Sequence, residues 1–233
     1  VGHKPQSLDW AQSAALPLTG ITAWEALFDR LRVQHPVAGG VNAILIVGGA
    51  GGVGSIAIQL ARALTDLTVI ATASRGETQD WVRELGAHHV IDHRQPLAAQ
   101  VEALGIGAPA FVFSTTHTDR HLGEIAELIA PQGRFALIDD PDSLDIVAFK
   151  RKAISVHWEL MFTRPLYDTP DLIEQGILLD KVAGLVDSGK IRTTLTQTLS
   201  PINAANLITA HRQIESATTR GKIVLEGWSP AHD

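Results

Sequence analysis

A cluster of glycines at residues 48–54 is the part of the sequence with the clearest chemical meaning. Gly49, Gly51 and Gly54 have the spacing G-x-G-x-x-G, after an apolar run and before a helical pattern. There, the first glycine would allow a tight turn, the second would let a pyrophosphate approach the backbone, and the third would let helix and strand pack closely. The helix start also offers N–H groups and a positive dipole end to phosphates. The alternative is a glycine-rich turn without a ligand.

The end of the second predicted strand decides which dinucleotide such a loop would bind. An acidic residue there would accept hydrogen bonds from a ribose 2′-hydroxyl and would repel a 2′-phosphate. This chain instead has Ser74 and Arg75, a hydrogen-bond donor and a cation. This pair favours NADP(H) over NAD(H), because both groups bind phosphate oxygens well. Alternatively, Arg75 is a solvated loop residue, since one surface charge is weak evidence.

Few residues in the sequence have the spacing of metal ligands. The absence of Cys excludes disulfides, Cys-ligated zinc, iron–sulfur clusters and a thiol nucleophile within this chain. His117 and His121 are four residues apart and would share one helical face, but no third and fourth ligand lie near them in the sequence. We therefore expect no metal site in this chain. Asp119 is expected to cap the helix, and the acidic residues 139–142 are expected to form a solvated turn.

Short β-branched runs alternate with longer amphipathic stretches from residue 41 onward, as they do in βαβ units. Strands are predicted at residues 43–47, 67–71, 89–92, 110–114, 134–138 and 154–159. Helices are predicted between them at residues 52–64, 78–85, 96–104 and 119–130. The strands are apolar on both faces, which is typical of a sheet covered by helices on both sides. The sequence therefore predicts an α/β fold, a doubly wound parallel sheet of the Rossmann type.

Further helices and strands flank this unit on both sides. Helices are predicted at residues 7–16, 22–31, 171–188 and 201–217, and strands at residues 195–199 and 222–225. We divide the chain into residues 1–34, a linker with helices, residues 35–165, the dinucleotide-binding domain, and residues 166–233, the C-terminal helices and strands. The tail after Gly227 is expected to be loose.

The composition excludes several classes of partner. The 19 Lys and Arg against 25 Asp and Glu give a formal charge of -6, so a nucleic-acid-binding surface is not expected. No apolar run reaches the roughly 18 residues of a membrane span, and the N-terminus lacks the features of a signal peptide. A cytoplasmic protein is therefore expected. The chain begins with Val in a polar segment that contains Pro, as a piece of a longer protein would.

Several motifs, taken together, are more specific than the glycine loop alone. In chain order they are ALPLTGITAW at residues 15–24, GAGGVG at residues 49–54, ELGA with VID at residues 84–92, PQGRF at residues 131–135 and GKIVL at residues 221–225. Together they resemble the medium-chain dehydrogenase/reductase superfamily, on the branch of NADPH quinone oxidoreductases. The stretch SVHWELMFTR at residues 155–164 resembles the subgroup called zinc-type alcohol dehydrogenase-like.

The resemblance implies roles for individual residues around a bound NADP(H). The backbone at Gly52 and Val53 would cradle the pyrophosphate, and Ser74 with Arg75 would meet the 2′-phosphate. His93 stands where related quinone reductases often have a Tyr beside that phosphate. The other residues that the resemblance places near the cofactor are Thr22, Ser114, Thr115, Ile138, Asp139, Met161, Phe162 and Thr163.

The resemblance also implies parts that this chain is expected to lack. Members carry an N-terminal GroES-like catalytic domain, and this chain starts where that domain would end. Residues 195–227 would return to that domain, so the strand at residues 222–225 is expected to lack its usual sheet partners. Zinc-dependent relatives place a Cys ligand near residues 18–20 of this chain, where no ligand stands. Zinc in this chain is therefore not expected.

The implied activity is reduction of a quinone or an α,β-unsaturated carbonyl compound by hydride from NADPH, with this chain mainly binding the cofactor. Two alternatives stay open: an inactive NADP-binding or dimerisation module, and a zinc-dependent alcohol dehydrogenase whose metal ligands all lie in the missing domain. The sequence identifies no catalytic residue. The resemblance further implies a homodimer that pairs through the edge strand near residues 153–161.

Overall fold

Six parallel strands form the central sheet. They are β1 (Val41–Val47), β2 (Thr68–Thr72), β3 (His89–Ile91), β4 (Pro109–Ser114), β5 (Arg134–Leu137) and β6 (Ser155–Trp158). Their order is β3-β2-β1-β4-β5-β6, and every neighbouring pair runs parallel. The computed structural model describes residues 1–228 of the chain. This strand order confirms the predicted doubly wound fold of the Rossmann type.

Both faces of the sheet are buried, because side chains alternate along each strand. In β4, Phe111 and Phe113 face one apolar layer, whereas Val112 faces the other. In β1, Ile46 and Leu45 divide between the layers in the same way. The helices that follow β1 to β4 in turn are α3 (Gly52–Leu64), α4 (Gly76–Glu84), α5 (Leu97–Ala103) and α6 (Thr118–Leu128). This packing holds the carboxyl ends of the strands at one edge.

Two helices precede the sheet, α1 (Trp10–Ala14) and α2 (Pro17–Trp24), and α2 continues as a π-helical turn (Glu25–Arg30). Asp9 caps α1, because its carboxylate accepts a hydrogen bond from the Gln12 N–H at 2.7 Å. The sequence predicts that the second helix begins near residue 22, but it begins at Pro17. Proline suits the first helical turn, since it has no N–H to leave unbonded there. No helix within residues 1–228 has the length and apolar character needed to span a bilayer.

A 3₁₀ turn (Ile146–Lys152) connects β5 to β6. The remaining elements form a smaller C-terminal part and are α7 (Thr163–Tyr167), α8 (Glu174–Asp187), β7 (Leu195–Leu199), α9 (Ala204–Glu215) and β8 (Lys222–Leu225). β7 and β8 pair in parallel as a separate two-stranded sheet, so β8 has β7 as a partner within residues 1–228, and the expectation that it lacks its usual partners in a further domain stays a prediction. Trp228 adds a bridge to Ile202, and the remainder of the tail that was expected to be loose, residues 229–233, lies outside the described residues.

Candidate functional site

A cleft of about 470 Å³ opens at the carboxyl ends of β1, β2 and β4. The strand order reverses between β1 and β4, and doubly wound sheets bind ligands at this position. The walls of the cleft come from the glycine loop, the ends of these strands, the start of α2 and the segment from α9 to β8. The sequence-predicted residues that line it are Gly51, Gly52, Val53, Ser74, Arg75, His93, Thr115 and Ile138.

The turn that follows β1 is made by Gly48 rather than by Gly49. Gly48 has a φ of +78°, in the left-handed region that favours glycine. Its N–H donates to the Thr72 hydroxyl at 2.9 Å, and the Gly49 N–H donates to the Thr72 carbonyl oxygen at 3.2 Å. Gly49 instead allows close packing, since a Cβ there would lie 2.9 Å from the Ala71 Cβ. The tight turn expected at Gly49 therefore lies one residue earlier.

Gly51 and Gly54 lack side chains for different physical reasons. A Cβ at Gly54 would lie 2.3 Å from the carbonyl oxygen of Gly48, so the expected close packing of helix on strand requires glycine. A Cβ at Gly51 would meet no atom of the described chain nearer than that same oxygen, at 3.4 Å. Packing within residues 1–228 therefore does not demand glycine at position 51. A ligand that lies against the backbone would demand it.

The start of α3 is open to the cleft. Gly51 occupies the N-cap position, and no side chain within residues 1–228 caps this helix. Gly52 and Val53, the first two helical residues, line the cleft. Uncapped N–H groups at a helix start, together with the positive end of the helix dipole, bind anions. The arrangement therefore fits the pyrophosphate of a dinucleotide.

Ser74 and Arg75 follow β2 and line one end of the cleft. The Arg75 guanidinium donates to the carbonyl oxygen of Thr218 and lies 3.3 Å from the Glu77 carboxylate. The carbonyl oxygen of Ser74 accepts a hydrogen bond from Arg94 at 2.7 Å. No sequence pattern indicated Arg94, because it belongs to the loop after the neighbouring strand. The segment that follows β2 thus carries one arginine, Arg75, and is contacted by a second, Arg94.

His93 lines the cleft with a half-buried imidazole. Its Nδ1 is buried and has no hydrogen-bond partner within residues 1–228. Burial has the largest effect on the pKa of His93 and lowers it, against the opposing charge of Asp92. The ring is therefore neutral at pH 7, and a neutral imidazole offers one donor and one acceptor.

Six of the residues that the resemblance placed near the cofactor do not line the cleft in this chain: Thr22, Ser114, Asp139, Met161, Phe162 and Thr163. Thr22 is buried in α2, and its hydroxyl donates to the Leu18 carbonyl oxygen at 2.8 Å. Leu18 and Thr19 line the cleft instead, because they lie about one helical turn earlier on α2. Phe162, just before α7, is 48% exposed and lies outside the cleft wall.

Ser114 and Asp139 hold the start of α6. The Thr118 N–H donates to the Asp139 carboxylate at 2.9 Å, and Thr118 Oγ1 lies 2.8 Å from the fully buried Ser114 Oγ. Asp139 therefore caps α6, so the expectations that Asp119 caps it and that Asp139 belongs to a solvated turn are wrong. Ser114 is turned away from the cleft by the same contact, whereas the adjacent Thr115 lines it.

The segment from α9 to β8 forms a wall of the cleft that no sequence pattern indicated. The Gly221 N–H donates to the Ala50 carbonyl oxygen at 2.8 Å. A Cβ at Gly52 would lie 2.7 Å from Lys222 Cδ, so the Lys222 side chain crosses the start of α3. The residues of this segment that line the cleft are Ile214, Ala217, Thr219, Gly221, Lys222 and Ile223. The GKIVL motif predicted the strand, but its spacing carried no signal for contact with the glycine loop.

The donor groups within residues 1–228 do not fit a zinc ion. The sequence has no Cys, and within the described residues no three His, Asp or Glu side chains converge as ligands. His117 is the N-cap residue of α6 with a φ of +50°, so it stands outside the helical face that carries His121. Catalytic zinc sites use three protein ligands and structural sites four.

Comparison with known proteins identifies the family. Residues 85–225 match a family described as zinc-binding dehydrogenase. A zinc-type alcohol dehydrogenase-like protein of Staphylococcus aureus is 37% identical over 227 residues, which cover 97% of this chain and 68% of that protein. A human mitochondrial NAD(P)H oxidoreductase is 29% identical, over 97% of this chain and 58% of that protein.

Solved structures agree with this result. A Rhizobium etli protein described as a zinc-dependent alcohol dehydrogenase is 71% identical with a TM-score of 0.96, over 98% of this chain and 67% of that one. An alcohol dehydrogenase superfamily protein from Novosphingobium aromaticivorans is 28% identical with a TM-score of 0.80, over 97% of this chain and 67% of that one. This chain thus spans about two thirds of the length of these relatives. It belongs to the zinc-binding dehydrogenase family of nicotinamide-dependent oxidoreductases, within the medium-chain dehydrogenase/reductase superfamily.

Proposed function

We propose that this chain binds NADP(H) and forms the cofactor-binding part of an NADPH-dependent reductase of quinones or α,β-unsaturated carbonyl compounds. The observation that carries the proposal is the uncapped start of α3, where Gly51, Gly52 and Val53 line the cleft. Backbone N–H groups at such a start bind phosphates without help from charged side chains. Since Gly51 meets no packing demand within residues 1–228, its lack of a side chain is best explained by a ligand.

The preference for NADP(H) over NAD(H) rests on the residues after β2. Neither Ser74 nor Arg75 is acidic. This position therefore lacks the carboxylate that would accept hydrogen bonds from the ribose hydroxyls of NAD. The Arg75 side chain is 38% exposed, and its ion pair with the exposed Glu77 is weak. The guanidinium can therefore leave Glu77 for a 2′-phosphate at little cost, although its hydrogen bond to the Thr218 carbonyl oxygen has to be kept or replaced.

Hydride transfer needs positioning more than acid–base chemistry from this chain. The bound nicotinamide supplies the hydride. The start of α3 would hold the pyrophosphate and the segment after β2 the adenosine ribose, which together fix the direction in which the nicotinamide points. Neutral His93 would offer Nδ1 to a ribose or phosphate oxygen. The substrate class follows from the resemblance to quinone reductases.

We also propose that residues 1–34 and 166–233 close against a further domain, whereas residues 35–165 form the dinucleotide-binding domain. The β7–β8 sheet has two strands, and a sheet of that size is marginal by itself. Leu207 and Ile208 on α9 are exposed, and large apolar side chains in water favour association. The substrate would lie between the two domains.

Replacing Arg75 by glutamine is expected to remove the preference for NADPH. The wild-type chain should bind NADPH at least about tenfold more tightly than NADH, a difference of roughly 1.4 kcal/mol, because the guanidinium pairs with the 2′-phosphate. Arg75→Gln should bind both cofactors about equally. The wild-type advantage should also shrink as salt is added, since exposed charges are screened. Titration calorimetry, repeated at several ionic strengths, measures all three effects.

Arg83→Gln is the matched control for that experiment. Arg83 lies on the exposed side of α4, paired with Asp80 at 3.0 Å, and it does not line the cleft. This variant should keep the wild-type preference. Equal binding of NADPH and NADH by the wild-type chain would contradict the choice of NADP(H), and binding of neither would contradict the role of the glycine loop.

We further propose a homodimer that pairs through β6. This strand is an edge, since β5 is its one neighbour within residues 1–228, and Trp158 at its end is 53% exposed. Trp158→Lys should convert a dimer of twice the chain mass into a monomer, because a lysine on an edge strand opposes pairing. Sedimentation equilibrium measures the mass. Trp228→Lys, an exposed tryptophan next to the other sheet, should stay dimeric, and a monomeric wild-type chain would overturn the proposal.

A further inference from the structure

Two buried glutamates, Glu25 and Glu159, form a carboxyl pair that takes no part in the cleft wall. Glu25 is 1% exposed and Glu159 is 3% exposed. Glu25 begins the π-helical turn, and Glu159 directly follows β6. Buried carboxyl groups are rare, because burial disfavours their charged form. The contacts around this carboxyl pair must therefore account for its burial.

Those contacts leave one oxygen of the carboxyl pair without a partner. Glu25 Oε1 accepts hydrogen bonds from Arg164 and from Gln175, the latter at 2.9 Å. Glu159 Oε2 accepts a hydrogen bond from Arg30 Nε at 2.8 Å. Glu159 Oε1 is buried and has no partner within residues 1–228 while both groups are charged. A proton on Glu159 would remove this unfavourable state, because the neutral acid can donate to Glu25, whose hydrogen bond and charge both raise the pKa of Glu159.

The positive charges nearby are too few to neutralise both carboxylates. Arg164 also binds Asp29 at 3.1 Å and Asp171 at 3.0 Å, so Glu25 shares it with two other acids. Burial raises the pKa of Glu159 to about 8, and the hydrogen bond to Glu25 and its charge act in the same direction. One of the two carboxyl groups is therefore protonated at neutral pH.

We propose that Glu25 and Glu159 share one proton at neutral pH, and that this proton fastens the loop of residues 160–175 to the π-helical turn. The proton gives Glu159 Oε1 a hydrogen bond to Glu25, and it removes one of two like charges in a buried place. The end of β6 and the π-helical turn are thereby joined by a neutral acid and a carboxylate instead of being pushed apart.

The loop depends on the same carboxylate at both of its ends. Arg164, near the start of the loop, and Gln175, near its end, both donate to Glu25. Gln175 Nε2 also donates to the carbonyl oxygen of Met161 at 2.6 Å, which ties the two ends of the loop together. Loss of the shared proton puts a second negative charge beside Glu25, so the loop is held less firmly at alkaline pH.

Other ionisable groups surround the carboxyl pair. These groups are Asp29 and Arg30 on the π-helical turn, His157 on β6, Arg164 on α7, Asp171 before α8, and Arg32 and Arg134 beside His157. Burial, then the charge of Arg30, lowers the pKa of His157. Hydrogen bonds from Thr169 and Arg164 lower the pKa of Asp171. His157 and Asp171 therefore titrate below neutrality, on the acid side of the carboxyl pair.

Glu159→Gln tests the proposal, because the amide is neutral and can donate to Glu25 as the protonated acid does. The folded wild-type chain holds a proton that the unfolded chain releases near pH 4.5. The stability that this proton contributes is therefore fully present below that pH and is lost as pH rises toward about 8. Above about pH 7, where the histidines are already neutral, the ratio of unfolded to folded chain at a fixed urea concentration should rise with pH by up to about tenfold per pH unit. Glu159→Gln should remove this slope, whereas the exposed control Glu215→Gln should keep it.

Hydrogen exchange of residues 160–175 reports on the loop itself. After correction for the intrinsic effect of pH, exchange in this loop should be faster at pH 9 than at pH 7 in the wild-type chain. In Glu159→Gln the corrected rates should be equal. Equal rates in the wild-type chain would overturn the role given to the loop, and an unchanged stability slope in Glu159→Gln would overturn the shared proton.

Infrared spectroscopy of the wild-type chain keeps the proposal testable if Glu159→Gln does not fold. A protonated carboxyl group has its own C=O stretching band, distinct from that of a carboxylate. This band should be present at pH 7, where ordinary glutamates are ionised, and should disappear by pH 10. Its absence at pH 7 would overturn the proposal.

Discussion

Replacing Gly54 by alanine is expected to lower the free energy of unfolding by about 3 kcal/mol. The new Cβ would lie 2.3 Å from the Gly48 carbonyl oxygen and 2.7 Å from the Gly49 Cα. Both atoms belong to the backbone of the turn after β1, so neither can rotate out of the way. Helix α3 would have to move away from the central strand of the sheet. Urea unfolding followed by circular dichroism measures the loss.

Gly123→Ala is the matched control for this substitution. Gly123 lies inside α6, and a Cβ there would meet nothing within 4 Å among the described residues. The variant should match the wild-type stability or exceed it by up to about 1 kcal/mol, because alanine favours helix more than glycine does. A Gly54→Ala chain as stable as the wild type would contradict the close packing of α3 on the turn.

The central sheet could be predicted because its signal is local. Phe111, Val112 and Phe113 are apolar without a break, and a strand with both faces buried requires this pattern. The glycine loop could be predicted for the same reason, since G-x-G-x-x-G lies between a predicted strand and a predicted helix. The same locality placed Ser74 and Arg75 at the end of β2, where they line the cleft.

Contacts between distant segments could not be predicted from such patterns. The carboxylate that caps α6 comes from Asp139, beyond the following strand, and not from Asp119 within the helix. β8 finds its partner in β7 across the whole of α9. The Gly221 N–H, near the C-terminus, donates to the carbonyl oxygen of Ala50 in the glycine loop, far away in the sequence. In each case the spacing in sequence carries no information about the distance in space.

The direction of a side chain was the other quantity that the sequence could not supply. Thr22 and Thr19 lie on the same helix and both hydroxyls donate to a carbonyl oxygen four residues earlier, yet Thr19 lines the cleft and Thr22 does not. Ser114 and Thr115 are neighbours on one strand end and point in different directions. A motif identifies the segment that approaches a ligand, whereas packing decides which of its side chains faces the cleft.

Gly51→Ala is expected to reduce the affinity for NADPH by about 100-fold, roughly 2.7 kcal/mol, and to leave the stability of the chain nearly unchanged. The nearest described atom to the new Cβ is the Gly48 carbonyl oxygen at 3.4 Å, an ordinary contact. The backbone at Gly51 has a φ of −69°, which alanine adopts readily. The methyl group would instead stand beside the start of α3, in the space that the pyrophosphate needs.

The contrast between the two glycine substitutions separates a role in the fold from a role in ligand binding. Calorimetry with NADPH and urea unfolding, on the same preparations, should show lost stability for Gly54→Ala and lost binding alone for Gly51→Ala. Gly123→Ala should keep both properties. Undiminished binding of NADPH by Gly51→Ala would mean that the cofactor does not touch the start of α3, and the proposed function would lose the observation that carries it. If Gly51→Ala lost both stability and binding, Gly51 would be required for packing of the fold, as Gly54 is.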